Sequence, residues 1–304
     1  MKPAEPATAV TAQTEVAEKR PVNAARRLCS LIKFEHTVFS LPFVALGALL
    51  GAGGLPDLSD IFLILLALIS ARTAAMSFNR IVDRRIDREN PRTAKRELPS
   101  GSLSVLQAAT LTGIAAGTFI AAAFLLRPLC GWLSLPALVL ILGYSYSKRF
   151  TEFSHFILGL ALGISPGAAW LAVGAPVTLT PILLGLIVVL WVAGFDILYS
   201  LADTEFDRKR GLHSIPQRFG PRKAIGVSRV CHALCATAMI YLYAHLSFPL
   251  WSLVTLAPTL ALFVRQHTLV KSDDLSRLDA AFFTLNGWIG ILFSAAVATI
   301  SFSL

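Results

Sequence analysis

From about residue 35 to Leu304 the chain is a succession of apolar runs broken by short polar punctuation. The first run opens near Glu35 in LIKFEHTVFSLPFVALGALLGAG, and others follow at roughly 60–80, 105–126, 130–147, 153–174, 180–202, 224–246, 248–266 and 281–303. Each reaches or approaches the roughly 20 residues that a helix needs to cross a bilayer core. Turn signals separate them: GGLPD near 53, RPLCG near 127, GAPVTLTP near 174 and SFP near 247. The pattern predicts an all-α polytopic membrane protein, with nine transmembrane helices bundled around a central apolar chamber and residues 26–304 forming one domain. Residues 1–25 are rich in Ala, Thr, Glu and Pro and have no apolar run, so they are expected to be a disordered cytoplasmic tail and not a signal peptide.

Composition agrees with that class. The 304 residues are 55% hydrophobic and 15% charged, with a mean hydropathy of +0.66, which excludes an ordinary soluble domain. A net charge of +9 raises nucleic acid as a partner, but the positions of the charges argue otherwise. With the N-terminus inside, the inner segments are the tail and the loops near 80–104, 147–152, 203–223 and 265–280. Of 27 Lys and Arg, only Arg127 then falls in an outer loop and Arg72 within a span. The remaining basic residues, about 25, sit on the inner side, so the charge reports topology and no nucleic-acid partner is expected. Cys29, Cys130, Cys231 and Cys235 lack the paired spacing of a zinc site. Lys33, Glu35 and His36 form a polar group at the mouth of the first span, and no second His stands at ligand spacing from His36.

Candidate chemistry concentrates in two stretches. In the first, an apolar helix is expected to end as a polar loop carrying Asn79, Asp83 and Asp87 at steps of four, with seven Lys or Arg from Arg80 to Arg96. Helical steps of four keep such residues on one face, drifting by about 40° per step. The second stretch carries Asp196, Tyr199, Asp203 and Asp207, and a continuous helix would hold its aspartates within about 20° of one stripe. The two ladders lie four spans apart at inner helix ends, and they are expected to face each other. Facing carboxylates can hold Mg²⁺, which completes its shell with phosphate oxygens and water, while Arg and Lys neutralise the rest of a diphosphate. A diphosphate bearing a hydrocarbon tail, a polyprenyl diphosphate, would place its tail in the chamber and its head at the inner surface.

The residues also carry a family resemblance. FNRIVDRRIDRENPRTAKRELPSG resembles the first signature of the UbiA superfamily of intramembrane prenyltransferases, NDxxDxxxD followed by an Arg-x-Leu-Pro-x-Gly loop. DILYSLADTEFD is similar to its second signature, DxxYxxxDxxxD, and GYSYSKRFTEFSHFILGLALGISPGAAW to a third family stretch. One departure is plain: Arg80 stands where the first signature has an acid. The resemblance implies that Asn79, Asp83, Asp87, Asp203 and Asp207 organise two Mg²⁺ ions, with Asp83 and Asp203 central to catalysis. It implies phosphate contacts from Lys148 and Arg149, with Arg84, Arg88 and Arg96 as further candidates. Asp196 would orient or deprotonate an aromatic acceptor, and Tyr144 and Tyr199 either line the path of an allyl cation or serve as interface aromatics. The location implied is the bacterial inner membrane, with the active site toward the cytoplasm.

Arg72 lies seven residues before Asn79, about 10 Å deeper on nearly the same face, where an unpaired charge is costly. Its expected partner is a substrate carboxylate or an internal acid such as Asp196. The resemblance implies 4-hydroxybenzoate or 1,4-dihydroxy-6-naphthoate as acceptor, in ubiquinone or menaquinone biosynthesis, and the text of IKFEHTVFSLP and ARTAAMSFNRIVDR leans to the second. Other acceptors, haem and homogentisate, remain open within the superfamily. A secondary transporter is the other class to weigh, but its coupling charges belong near the midplane on interrupted helices.

Overall fold

The computed structural model describes residues 37–303, and all regular structure among them is helical. In chain order the α-helices are α1 (Thr37–Ala52), α2 (Leu58–Glu89), α3 (Val105–Leu126), α4 (Pro128–Gly143), α5 (Ser154–Ala172), α6 (Leu179–Tyr199), α7 (Thr204–Arg210), α8 (Ile215–Phe219), α9 (Pro221–His245), α10 (Ala257–Leu269) and α11 (Leu285–Ser303). The expected tail, Cys29, Lys33, Glu35 and His36 lie outside the described residues.

Seven helical segments are long and apolar enough to cross a membrane: α2, α3, α4 with the turn to Arg149, α5, α6 continued to Arg210, α9, and Ala281–Ser303. Two expected segments differ in kind. The described part of the first is the 16-residue α1, and the eighth is a 3₁₀ turn, Leu250–Leu256, feeding the 13-residue α10. Large apolar side chains such as Leu58, Phe62, Trp132, Val139 and Trp251 are exposed on the outer faces. On a soluble protein such a surface would aggregate; in a bilayer it meets acyl chains.

Two departures from the expected local structure matter for the site. The first acidic stretch does not end as a loop. Helix α2 runs unbroken for 32 residues, about 48 Å at the helical rise, so its last turns extend past a hydrocarbon core of about 30 Å. Arg, Glu, Asp and Ile from Arg80 to Glu89 are compatible with helix, and the first loop residue is Asn90, ahead of Pro91. The second stretch is not continuous: α6 ends at Tyr199, a 3₁₀ turn covers Ser200–Asp203, and α7 then runs to Gly211, which closes it at φ 65°. Four residues at about 120° each, instead of 100°, rotate Asp207 by roughly 80° from the stripe that a single helix would give.

Helix α6 is the most buried of the seven. It packs on α5 and α9, α5 packs on α1, and α2 packs on α3. Phe43, Ile187, Trp191, Met239, Leu242 and Phe293 form the main core. The α5–α6 contact depends on small residues: a Cβ on Gly159 would lie 2.6 Å from the Val189 carbonyl oxygen, and one on Gly163 only 2.8 Å from that of Gly185. Gly163→Leu is therefore expected to cost about 1–3 kcal/mol by overpacking, lowering the melting temperature in detergent by several degrees. An unchanged melting temperature would show that the helices can part freely at this point.

Candidate active site

Between α2, α4, α5 and α6 lies a chamber of about 1160 Å³. Most of its wall is apolar, including Leu68, Leu140, Leu162, Ile182 and Val189, and its polar end is built by the C-terminal half of α2 and the segment from Asp196 to Asp207. Asn79, Asp83, Asp87, Asp196, Asp203 and Asp207 all reach this one chamber. So do Arg72, Tyr144, Lys148, Arg149, Arg96 and Tyr199.

Four of the acids are each matched by one cation. Arg149 approaches Asp83 at 3.4 Å, and Asn79 donates to the same carboxylate at 2.9 Å. Arg96 Nη1 bridges both Asp87 oxygens at 2.7 and 2.9 Å. Arg92 grips Asp203 by its Nε at 3.1 Å and its Nη2 at 2.5 Å, and Asn90 adds a third donor at 3.1 Å. Lys148 Nζ stands 3.9 Å from Asp207. Burial works against the charge of Arg92, but the hydrogen bond and charge of Asp203 outweigh it and hold the guanidinium above its ordinary range.

The 90–104 connection supplies two of these partners because it folds back as a compact cap. Thr93 donates to the Asp87 carbonyl at 3.0 Å, while Leu98 and Leu103 pack with Ala108 and Ile81. Ser104 then starts α3 through a reciprocal capping box with Gln107.

The donor set fits Mg²⁺ shared with a diphosphate better than a closed protein cage. No three His, Cys, Asp or Glu residues converge as a metal site among the described residues. Asp207 Oδ2 is nevertheless buried without a hydrogen bond, and the carboxylates stand in two facing sets. Mg²⁺ usually takes one or two carboxylates and fills its shell with phosphate and water, so these residues suit it once a diphosphate supplies the missing oxygens.

Deeper in the chamber, Arg72 makes no ion pair among the described residues, and its Nε has no hydrogen-bond partner. The expected alternative of a pair with Asp196 is not formed. Asp196 instead meets His155, whose Nδ1 lies 2.7 Å from Asp196 Oδ2. Tyr199 stacks on Phe282 with ring centroids 4.1 Å apart and accepts a hydrogen bond from Arg92 at 3.2 Å. Phe282 sits in a single π-helical turn, Ala280–Thr284, whose widened backbone is tied by Asn286, which donates to the Phe282 carbonyl at 2.8 Å. Arg80 is 3% exposed on the chamber wall, and its Nε makes no hydrogen bond.

Arg84 and Arg88 are not brought to the chamber. Helical geometry turns both away from the Asp83–Asp87 face: Arg84 donates to the Ile81 carbonyl at 2.8 Å and lines a separate polar pocket, and Arg88 is exposed. Replacing either by Gln is expected to change prenyl diphosphate affinity by no more than about threefold, as for an exposed charge screened by solvent. A tenfold loss in a binding titration would return them to the site. Conversely, Asn90, Arg92, His155 and Phe282 went unnoticed in the sequence. Asn90 and Arg92 sit in the NPRT turn directly after the first ladder, and His155 lies within the third family-like stretch, which are the available signals; nothing local marks Phe282.

A model described as the UbiA prenyltransferase family matches residues 40–288. The chain is 31% identical over 254 residues to a 4-hydroxybenzoate octaprenyltransferase of Nitrosomonas europaea, covering 83% of this chain and 85% of the relative. It is 29% identical over 279 residues to a protein of the same name from Photobacterium profundum, covering 90% and 96%. Among solved structures, a UbiA homolog from Aeropyrum pernix in its apo form superposes with a TM-score of 0.78 at 33% identity, covering 88% of this chain and 98% of that one. A UbiA homolog from Archaeoglobus fulgidus bound to GPP and Mg²⁺ shares the fold at a TM-score of 0.72 and 22% identity, covering 91% of this chain and 100% of that one.

Proposed function

The chain belongs to the UbiA prenyltransferase family, and from that premise we propose that it transfers a polyprenyl group from its diphosphate to an acidic phenol, 4-hydroxybenzoate being the acceptor that its relatives' names support. The observation that carries this reading is the layout of one chamber: paired acids and cations at its mouth, apolar walls behind them, and an unpaired arginine within. Asn79, Asp83, Asp87, Asp203 and Asp207 would hold Mg²⁺, which supplies positive charge to the diphosphate oxygens as they take up negative charge. That the UbiA homolog from Archaeoglobus fulgidus was solved with GPP and Mg²⁺ supports pairing this metal with a prenyl diphosphate.

This chain's own residues account for the remaining steps. Each acid already has a cation, so a diphosphate entering with its counter-ions exchanges partners: Arg96, Arg92, Arg149 and Lys148 turn from carboxylates to phosphate oxygens. As the allylic C–O bond breaks, the diphosphate keeps the electron pair and these cations stabilise it. The allyl cation faces the Tyr199–Phe282 wall, whose π faces favour positive charge, and the apolar chamber keeps water from capturing it. A ring carbon of the phenol then forms the new C–C bond, and the ring proton is lost toward Asp196. Arg72 would hold the acceptor carboxylate, and Arg80 would replace with fixed positive charge what an acidic residue there would have contributed through metal.

Nine crossings with the N-terminus inside would put the polar end at the cytoplasmic face of the inner membrane, a reading that the basic residues gathered at that end support. The reading is tested on purified protein with a long-chain polyprenyl diphosphate, Mg²⁺ and, in parallel, 4-hydroxybenzoate or 1,4-dihydroxy-6-naphthoate, with products read by mass spectrometry and EDTA as control. A prenylated acid is expected. Bound polyprenyl diphosphate with no product from either acid would overturn the acceptor class.

A further inference from the structure

We propose that His155 is the positioning residue of the acceptor-side carboxylate: it fixes Asp196 through Nδ1 and is itself fixed by the backbone of α8. The inference rests on the reading of Asp196 as the group that meets the acceptor. His155 lies in the first turn of α5, opposite Asp196 on α6, and is 0% exposed. Its Nδ1 is 2.7 Å from Asp196 Oδ2, and its Nε2 is 3.5 Å from the backbone nitrogen of Ile215. A backbone N–H can only donate, so Nε2 accepts and the ring proton sits on Nδ1, directed at the carboxylate.

His155 is the one hydrogen-bond partner of the Asp196 carboxylate among the described residues. With Oδ2 engaged, the other oxygen is left for an occupant of the chamber that Asp196 lines. A carboxylate in an apolar cavity is costly unless hydrogen-bonded, and its two side-chain torsions would otherwise leave its direction unset. The rigid end of the chain of contacts is α8: Ile215 is buried, Pro216 follows it in the first turn, and Ser214 caps the helix by accepting from Gln217 N at 3.3 Å. The other charged group near the ring is Asp207 on α7, which Lys148, in the 3₁₀ turn Tyr144–Arg149 after α4, faces at 3.9 Å.

The test compares His155→Asn, His155→Gln and His155→Leu in the full-length protein. The Asn amide nitrogen superposes on His Nδ1 and keeps the donor to Asp196, whereas the Gln amide reaches the Nε2 position and does not. H155N is expected to retain acceptor turnover within about fivefold, while H155Q and H155L lose about 10–100-fold in kcat/KM for the acceptor, the range for removing a group that orients an active ligand. Geranyl diphosphate binding with Mg²⁺ is expected to stay within about twofold in all three, and D196N/H155L to be no worse than D196N. Wild-type turnover in H155L, or equal losses in all three variants, would overturn the proposal. The tautomer is read independently from ¹⁵N shifts of histidine-labelled protein, with Nδ1–H expected in the wild type and lost in D196N. An Nε2–H tautomer would overturn the proposal even if the wild type prenylates no acceptor, an assay result that by itself counts against the functional reading.

Discussion

Replacing Asp203 with asparagine is expected to lower prenyl transfer by about 10²–10³-fold, the loss typical of removing a group that organises charge in the transition state. Asp203 joins more elements of the site than any other acid there. It receives Arg92 through two nitrogens and Asn90 through a third, and Arg92 in turn reaches the Tyr199 hydroxyl and lies over its ring, 5.4 Å from the centroid. An asparagine keeps the shape but loses the negative charge, leaving Arg92 with a surplus proton donor and, on the proposed function, leaving one anionic oxygen fewer to hold Mg²⁺. Because Arg92 is 39% exposed at its side chain, solvent screens the broken pair and the fold is expected to survive. Asp60→Asn is the matched control. It breaks the Arg127–Asp60 pair, 3.3 Å long, at the opposite end of α2, and is expected to leave turnover within about twofold, as for a partly exposed pair remote from the chemistry. Initial rates under saturating substrates, with melting temperatures for both variants, decide the matter; equal rates in D203N and D60N would remove Asp203 from the chemistry.

The helices and the acids of the site were legible in the sequence because they depend on short-range regularities. An apolar run of about 20 residues has few alternatives to a buried helix, and Asp83–Asp87 and Asp203–Asp207 repeat at a helical step. What could not be read is what depends on meetings between distant segments. Arg92 finds Asp203 only because the 90–104 connection folds back across α2, and His155 finds Asp196 only because glycines let α5 and α6 approach closely. Local shape also misled: the charged end of α2 reads as a loop by polarity yet has no residue before Asn90 that breaks a helix, and the 3₁₀ turn at Ser200–Asp203 has no Gly or Pro to announce it. Arg84 and Arg88 show the limit of composition. They belong to the same basic run as Arg92 and Arg96, but helical rotation aims them elsewhere.

Arg72→Leu is expected to raise KM for the aromatic acid by about 10–100-fold, corresponding to the 1.5–3 kcal/mol of a hydrogen bond to a charged partner. The argument turns on the absence of a competitor. A cation this deep costs free energy unless paired, and Arg72 has neither an ion pair among the described residues nor a hydrogen bond at Nε, so on the proposed function its charge would be held for an acid that enters the chamber. Two consequences separate this role from a general effect on folding. First, the loss should follow the substrate's charge: the wild type should prefer the free acid over its methyl ester, and R72L should lose that preference without losing further activity on the ester. Second, removing an unpaired buried charge should leave the ligand-free protein as stable or more so, since an apolar side chain of similar reach avoids the desolvation cost. A lower melting temperature combined with equal losses on acid and ester would mean that Arg72 supports the structure. A selective loss on the acid at undiminished stability would mean that the depth of this one guanidinium below Asn79 sets how far the acceptor ring enters, and so which ring carbon meets the allyl cation.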